Sequence, residues 1–307
     1  MSKSVAVIIL NYNTPVNTAN CVKSFFACCD NKLFDIIVAD NGSSDNSLQT
    51  LRGQFPEVLF LDNKQNLGFA EGNNIALAYS ISHLYEYSLL ANSDTLVEED
   101  IVTTLKTHLD LNRTVAAVQP AIYWMHEKNK LWNGPGYFNK LTGNTISKTY
   151  ARYKFVSRFL KVEWVTGCCV MLKNKAVKET GGFNKNFFLY YEDADLSFRL
   201  RNCNYDLHYI TTAKMYHEAG VSGKKVSEEG FLNPIIHYYT IRNHFWFIRK
   251  YSYKLFLPIN MIYNLSYYAV LWLYFTVRNR TQKAYFVSKG IKQGLFTQKK
   301  SIWDDLL

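Results

Sequence analysis

Three carboxylates fall within four residues at Glu192, Asp193 and Asp195. Like charges this close repel one another unless a cation or a proton offsets them. Asn92-Ser93-Asp94 adds another acid at the end of an apolar run, and hard oxygen donors of this kind suit a divalent cation. His217 closes a short apolar stretch and contributes an imidazole, a recurrent metal ligand. Each of these also has a plainer reading. The 192–195 acids suit the first turn of a helix, where negative charge meets the positive end of the dipole and Asp195 would serve as a cap. Asp94 suits a turn, and a lone histidine suits a structural role.

The elements that would position these residues follow from the apolar pattern. Residues 5–10 are a continuous β-rich run, as expected of a strand buried on both faces. Thr14-Pro15 opens a helix that carries apolar spacing to residue 29. Runs at 34–39, 58–61, 87–91 and 116–119 predict four more strands, with helices at 47–51, 73–82 and 98–110 between them. Alternation of this kind predicts an α/β fold with a doubly wound, mostly parallel central sheet. Ligands of such sheets sit beyond the carboxyl ends of the strands. Asn11-Tyr12-Asn13, the stretch from Asp40 to Asp45, and Asn92-Ser93-Asp94 all fall there. No Gly-x-Gly-x-x-Gly and no Walker loop occurs, so dinucleotide and P-loop readings lose ground. Farther on, residues 120–163 read as irregular, 164–172 and the aromatic 187–191 as strands, 196–201 as a helix and 214–217 as a strand.

Charge divides the chain. Residues 1–213 hold 21 Lys and Arg against 20 Asp and Glu, whereas residues 214–307 hold 14 against 5. The net +10 therefore belongs to the last third, the kind of segment that meets nucleic acid or anionic lipid. Residues 255–277 carry no charge and are flanked by Arg249, Lys250 and Lys254 on one side and Arg278, Arg280 and Lys283 on the other. Asn260, Asn264 and Tyr267 share one helical face, which predicts an amphipathic helix lying in a membrane interface. A helix packed on the rest of the chain and a membrane span are the alternatives. The six cysteines have no metal or disulfide spacing and read as reduced, buried thiols, which suits the cytosol. The apolar run at 5–10 is too short for a secretory leader and ends at Asn11.

In order and spacing, VAVIILNYN, VADNGSSD, NLGFAEGNN, LLANSDT and GGFNKNFFLYYEDADLSFRLR resemble family 2 glycosyltransferases of the GT-A fold over about residues 4–250. The most similar subgroup is that of the bacterial rhamnosyltransferase-like enzymes of surface polysaccharide (O-antigen or capsule) synthesis. The resemblance implies that Asn11, Tyr12, Asn13 and Asp40 hold the base and ribose of a nucleotide-sugar donor. It implies that Asn66, Gly68 and Asn73 line the donor site. Asn92-Ser93-Asp94 stands where the family has Asp-x-Asp or Asn-Pro-Asp. Asp94 would then ligate Mg2+ or Mn2+, His217 would complete the metal site, and Asn92 would lie on the donor side. Asp193 would be the catalytic base, a choice that spacing alone does not make over Asp195. Glu192 and Trp164 would face the acceptor, and Arg242, in Tyr238-Tyr239-Thr240-Ile241-Arg242-Asn243, would meet the diphosphate. One base without a covalent partner implies inversion.

The implied donor is dTDP-L-rhamnose, with a UDP-hexose second, and the implied acceptor is a polyprenyl-diphosphate-linked glycan. The expected organisation is a catalytic domain over 1–250, with its donor half to about 119 and its acceptor half over 120–250. A C-terminal helical, membrane-associating tail would cover 251–307. The expected location is cytoplasmic, peripheral on the inner face of the cell membrane, against anionic lipid. Nucleic acid is not an expected partner, because acids crowd the presumed cleft. A metal-dependent nucleotidyltransferase is the competing enzyme class, but it would normally carry a Gly-rich phosphate loop that Asn11 to Thr14 lacks. A non-catalytic RNA-binding or membrane scaffold is the other rival.

Overall fold

A computed structural model describes residues 3–149, 157–219, 229 and 232–297. The N-terminal half alternates strands and helices: β1 (Val5–Asn11), α1 (Pro15–Cys28), β2 (Phe34–Asp40), α2 (Ser47–Gln54), β3 (Leu59–Asp62), α3 (Gly68–Ser82), β4 (Tyr87–Asn92), β5 (Thr95–Val97), α4 (Ile101–Leu111) and β6 (Val115–Trp124). After these come β7 (Leu131–Asn133), β8 (Gly136–Asn139), β9 (Asn144–Ser147), β10 (Phe159–Val162), β11 (Cys169–Lys173), α5 (Asn174–Thr180), α6 (Glu192–Asn202) and β12 (Asp206–His217). The chain's last described elements are three helices, α7 (Ile235–Tyr251), α8 (Leu257–Val277) and α9 (Thr281–Phe296).

The main sheet runs β3-β2-β1-β4-β11-β6-β12-β10. Its β3-β2-β1-β4 half is wholly parallel, and β6 and β12 are parallel to each other. β11 enters antiparallel between β4 and β6. Apolar clusters fill both faces, one built around Val7, Phe25 and Val38 and the other around Ile8, Ile37 and Leu77. Alternate residues of one strand thus feed opposite layers, which is why β1 reads as unbroken apolar sequence.

Register brings the polar strand ends together. Asn11 pairs with Asp40 across β1 and β2, and Leu10 pairs with Asn92 across β1 and β4. The chain leaving Asn92 turns at once into β5, which pairs antiparallel with the end of β12 and sets Thr95 opposite His217.

Four expectations need correction. Residues 120–163 are not irregular: β6 extends to Trp124, and β8 and β9 form a separate hairpin. The 164–172 strand begins only at Cys169. Residues 187–191 form a turn rather than an aromatic strand, with Phe188, Tyr190 and Tyr191 all at positive φ. Asp195 is not a helix cap, because α6 already begins at Glu192 with Tyr191 at its N-cap.

Of the stripe expected on the uncharged helix α8, Asn260 and Asn264 face inward, whereas Tyr267 is exposed. Asn260 Nδ2 donates to the carbonyls of Lys140 (3.0 Å) and Leu141 (2.7 Å), and Asn264 Nδ2 to that of Thr142 (2.6 Å). The amides dock the helix on the turn after β8, and the apolar flanks, with Ile262 at 66% and Val270 at 67% exposure, point outward. Among the described residues no helix is long and apolar enough to cross a membrane. Gly290 and Gly294 of α9 lie directly against α7, where a methyl group would stand 3.0 Å from the Tyr238 carbonyl and 2.8 Å from Phe245 Cβ.

Candidate active site

At the β1–β2 end, Asn11 and Asp40 are both buried. Asn11 Nδ2 donates to Asp40 Oδ2 (2.7 Å), and the Ser43 hydroxyl and backbone N–H close a turn onto the same carboxylate (2.7 and 2.9 Å). Asn11 Oδ1 takes the Thr18 hydroxyl of α1 (2.7 Å). The pair therefore shapes the loops around it, while Asn13 Oδ1 accepts the Ser44 N–H (2.8 Å) and Tyr12 is exposed.

Asn66 Oδ1 accepts the Gly68 N–H (2.9 Å), which starts α3 earlier than the apolar spacing suggests. Gly68 sits at φ +76°, and a methyl there would lie 2.4 Å from the Phe188 carbonyl oxygen. That closeness lets Phe69 N–H donate to Phe188 O (2.6 Å), tying the start of α3 to the turn before α6. Asn73 is buried and bonds back to the Phe69 carbonyl (2.8 Å).

At the β4 end, the Asn92 N–H donates to the Cys168 carbonyl (2.9 Å) and Ser93 Oγ meets Thr14 Oγ1 (3.1 Å). Asp94 Oδ1 lies 3.0 Å from His217 Nε2, both residues being buried, and Trp132 packs edge-on against the imidazole. His217 Nδ1 is buried without a hydrogen-bond partner. Asp94 Oδ1 and His217 Nε2, facing each other, are donor types that suit a divalent ion of the Mn2+ type. Among the described residues no cluster of three or more Asp, Glu, His or Cys side chains could hold a metal.

The acidic cluster separates by environment. Asp195 is fully buried and gripped by Arg199 Nε (2.8 Å), Tyr251 OH (2.6 Å) and Lys250 Nζ (3.3 Å). Among the described residues no cation pairs with Asp193; it accepts the backbone N–H of Gly167 (3.0 Å) and of Ala194 (2.7 Å). Burial raises its pKa, and these two N–H groups only partly offset the rise. Glu192 is buried with Oε2 unpartnered, and burial, reinforced by the Asp193 charge, holds it well above the usual carboxylate range. Gly167-Cys168 joins the two halves: the N–H of Gly167 holds Asp193 and the carbonyl of Cys168 holds Asn92.

The model of the family described as glycosyl transferase family 2 matches residues 6–181, more than half of the chain. The chain belongs to glycosyl transferase family 2. Among curated relatives, it is 22% identical over 266 residues to the dTDP-rhamnosyl transferase RfbF of Shigella flexneri, covering 85% of this chain and 86% of that protein. It is also 22% identical over 209 residues to the N-acetylglucosaminyl-diphospho-decaprenol L-rhamnosyltransferase of Mycobacterium tuberculosis, covering 62% of this chain and 68% of that one. It is thus a rhamnosyltransferase-like member of the family. The solved mannosyltransferase PcManGT from Pyrobaculum calidifontis, in complex with GDP-Man and Mn2+, superimposes with a TM-score of 0.58 at 13% identity, over 99% of this chain and 88% of that one. The GT-A fold is shared.

Two expected site residues of this family 2 chain are committed elsewhere. Trp164 is buried, its indole N–H directed at the carbonyls of Tyr137 (3.2 Å) and Ile146 (3.3 Å), so it braces the β8–β9 hairpin. Arg242 is buried on α7 and donates through Nη2 to the carbonyls of Asn186 (2.9 Å) and Phe187 (3.0 Å) and through Nε to Asn243 (2.8 Å). Asn41 was not expected and is a hub. Its Nδ2 reaches the Asn66 side chain (3.2 Å) and the Gly68 carbonyl (3.0 Å), and its Oδ1 accepts the Leu67 N–H (3.2 Å). The available signal was an amide directly after the strand-ending Asp40.

Proposed function

We propose that this family 2 glycosyltransferase moves L-rhamnose from dTDP-L-rhamnose to a lipid-linked glycan with inversion at the anomeric carbon, in bacterial surface polysaccharide synthesis. The reading rests most on one observation: Asp193, a raised-pKa carboxylate held by backbone N–H groups and, among the described residues, by no cation, stands one peptide from the support of the Asn92–Asp94 turn. Asp193 takes the proton of the acceptor hydroxyl as the new glycosidic bond forms and the bond to the diphosphate breaks. A raised pKa makes the carboxylate a stronger base. Glu192, favouring its protonated form, donates a hydrogen bond at the acceptor side. Asp94 and His217 would hold the divalent cation, which when bound neutralises charge on the departing diphosphate. Asn11, Asn13 and Asp40 shape the loops around the nucleotide, and Asn66, Gly68, Asn73 and Asn92 those around the donor sugar.

The sugar and acceptor are supported by the names of the two relatives. A lipid-linked acceptor also accounts for the apolar outer face of α8 beside Arg278 and Arg280, which suits an anionic bilayer surface. The test is incubation of the purified chain with dTDP-L-rhamnose, Mn2+ or Mg2+ and polyprenyl-diphosphate N-acetylglucosamine. Expected are free dTDP and a product whose anomeric configuration, read by NMR, is opposite to the donor's. Release of an intact diphosphate-linked sugar, retention of configuration, or full turnover by Asp193→Asn would overturn the reading.

A further inference from the structure

The turn that delivers Asp193 is held in an unfavourable shape, and one buried amide of α7 meets three of its carbonyls. Phe188 sits at φ 62°, ψ −58°, and Tyr190 and Tyr191 both sit at φ 69°. Residues with a Cβ rarely adopt such conformations, and three within four residues require an external restraint. Asn243 supplies one. It is fully buried in α7, and its Nδ2 lies 2.8 Å from each of the carbonyl oxygens of Phe187, Leu189 and Tyr190. Its own Oδ1 is fixed by Arg242 Nε. Two rings of the turn lie flat on neighbours from the same helix, Phe188 on Tyr239 (4.9 Å, 16°) and Tyr191 on His244 (5.1 Å, 11°).

The other side of this turn is the donor segment. The Phe188 carbonyl accepts the N–H groups of Phe69 (2.6 Å) and Ala70 (3.3 Å) at the start of α3, where Gly68 leaves room for it. The turn is thus gripped by α7 on one side and by the donor segment on the other. It runs directly into Glu192 and Asp193. Its shape therefore bears on where Asp193 stands relative to the start of α3.

We propose that Asn243 is a positioning residue: its amide clamps the 187–190 carbonyls and thereby fixes where Asp193 stands relative to the donor. This rests on the reading of Asp193 as the base. The clamp acts through backbone oxygens alone, so it constrains geometry without touching substrate. Glycosyl transfer by a single displacement depends on alignment of hydroxyl, anomeric carbon and base, and misplacement by about 1 Å costs on the order of 100-fold in rate.

The test uses the full chain with Asn243→Ala and the isosteric Asn243→Asp, which keeps the shape and removes both donors. Hydrogen exchange of the amides at 186–191 and 69–70 is followed by mass spectrometry, alongside dTDP binding and steady-state rates with dTDP-L-rhamnose. Expected is exchange at least about tenfold faster, confined to those two segments, with dTDP affinity and donor KM within about twofold of wild type. The turnover number falls on the order of 100-fold in both variants. Should Asn243→Ala not fold, Asn243→Ser, which keeps one donor, carries the same expectation at reduced size. Unchanged exchange in the two segments overturns the clamp, as does faster local exchange with wild-type turnover. A loss of dTDP affinity as large as the loss of rate also overturns it, because Asn243 would then serve binding. Wild-type turnover by Asp193→Asn defeats the base instead and leaves the exchange result standing, so the two failures are distinguishable.

Discussion

Asp193 and Asp195 are two residues apart, and neutralising them should have opposite consequences. Asp195 is fully buried against Arg199, Lys250 and Tyr251. Asp195→Asn leaves the Arg199 guanidinium without its anion in a site where its other N–H groups already serve the Thr180 and Gly182 carbonyls. Removing one partner of a buried pair costs about 3–5 kcal/mol. In a domain of this size that lowers the melting temperature by roughly 5–15 °C. Asp193 is the reverse case. Its folded pKa lies above the unfolded value, so its contribution to stability is complete below the unfolded pKa and is lost as pH rises through the folded one. Because desolvation disfavours the charged form, the neutral isostere removes that cost, and Asp193→Asn should melt at or slightly above the wild-type temperature. Its turnover should fall by about 100- to 10,000-fold through loss of the base. Thermal unfolding by circular dichroism at pH 7.5 and dTDP release give the two readouts. A stable but inactive Asp195→Asn, paired with an active and destabilised Asp193→Asn, would refute the assignment and exchange the two roles.

Further outcomes follow from the same geometry. Because desolvation raises half-buried Asp193, the acidic limb of a plot of kcat/KM against pH should lie above 3.8, its ordinary value; a limb at or below that value contradicts a desolvated base. Gly68→Ala places a methyl 2.4 Å from the Phe188 oxygen at φ +76°. It should destabilise the chain by about 2–4 kcal/mol in urea unfolding, and a change under about 0.5 kcal/mol would show that the turn gives way freely. Asp94→Asn and His217→Ala should each abolish the strengthening of dTDP binding by Mn2+ in calorimetry, with binding in EDTA unchanged. Ile262→Glu combined with Val270→Glu should remove co-sedimentation with phosphatidylglycerol vesicles at an unaltered melting temperature; undiminished sedimentation would place the contact elsewhere.

Much of the frame was legible in the residues alone. Apolar runs ended by Asn11, Asp40 and Asn92 read as parallel strands with a polar rim, because in-register pairing must bring such ends to one edge. The charge division between the two parts of the chain was legible too, since net charge needs no coordinates. Pairing of Asp94 with His217, 123 residues apart, was reachable only through the family resemblance until β5 and β12 placed them in contact.

Other matters waited for tertiary structure. Spacing put three acids in one helical turn but did not tell a caged carboxylate from one held by backbone N–H groups, because Lys250 and Tyr251 arrive from a distant helix. Periodicity put Asn260 and Asn264 on one face of α8 but did not say what covers it. Lone carbonyls of the 140–142 turn took the amides, so the polar stripe turned inward and the apolar flanks outward. The aromatic run at 187–191 had strand composition, yet Asn243 and the stacked rings of α7 hold it as a turn. Sequence determines what each residue is able to satisfy, while the fold decides which partner comes within 3 Å, and hydrogen bonds and ion pairs are made only at that range.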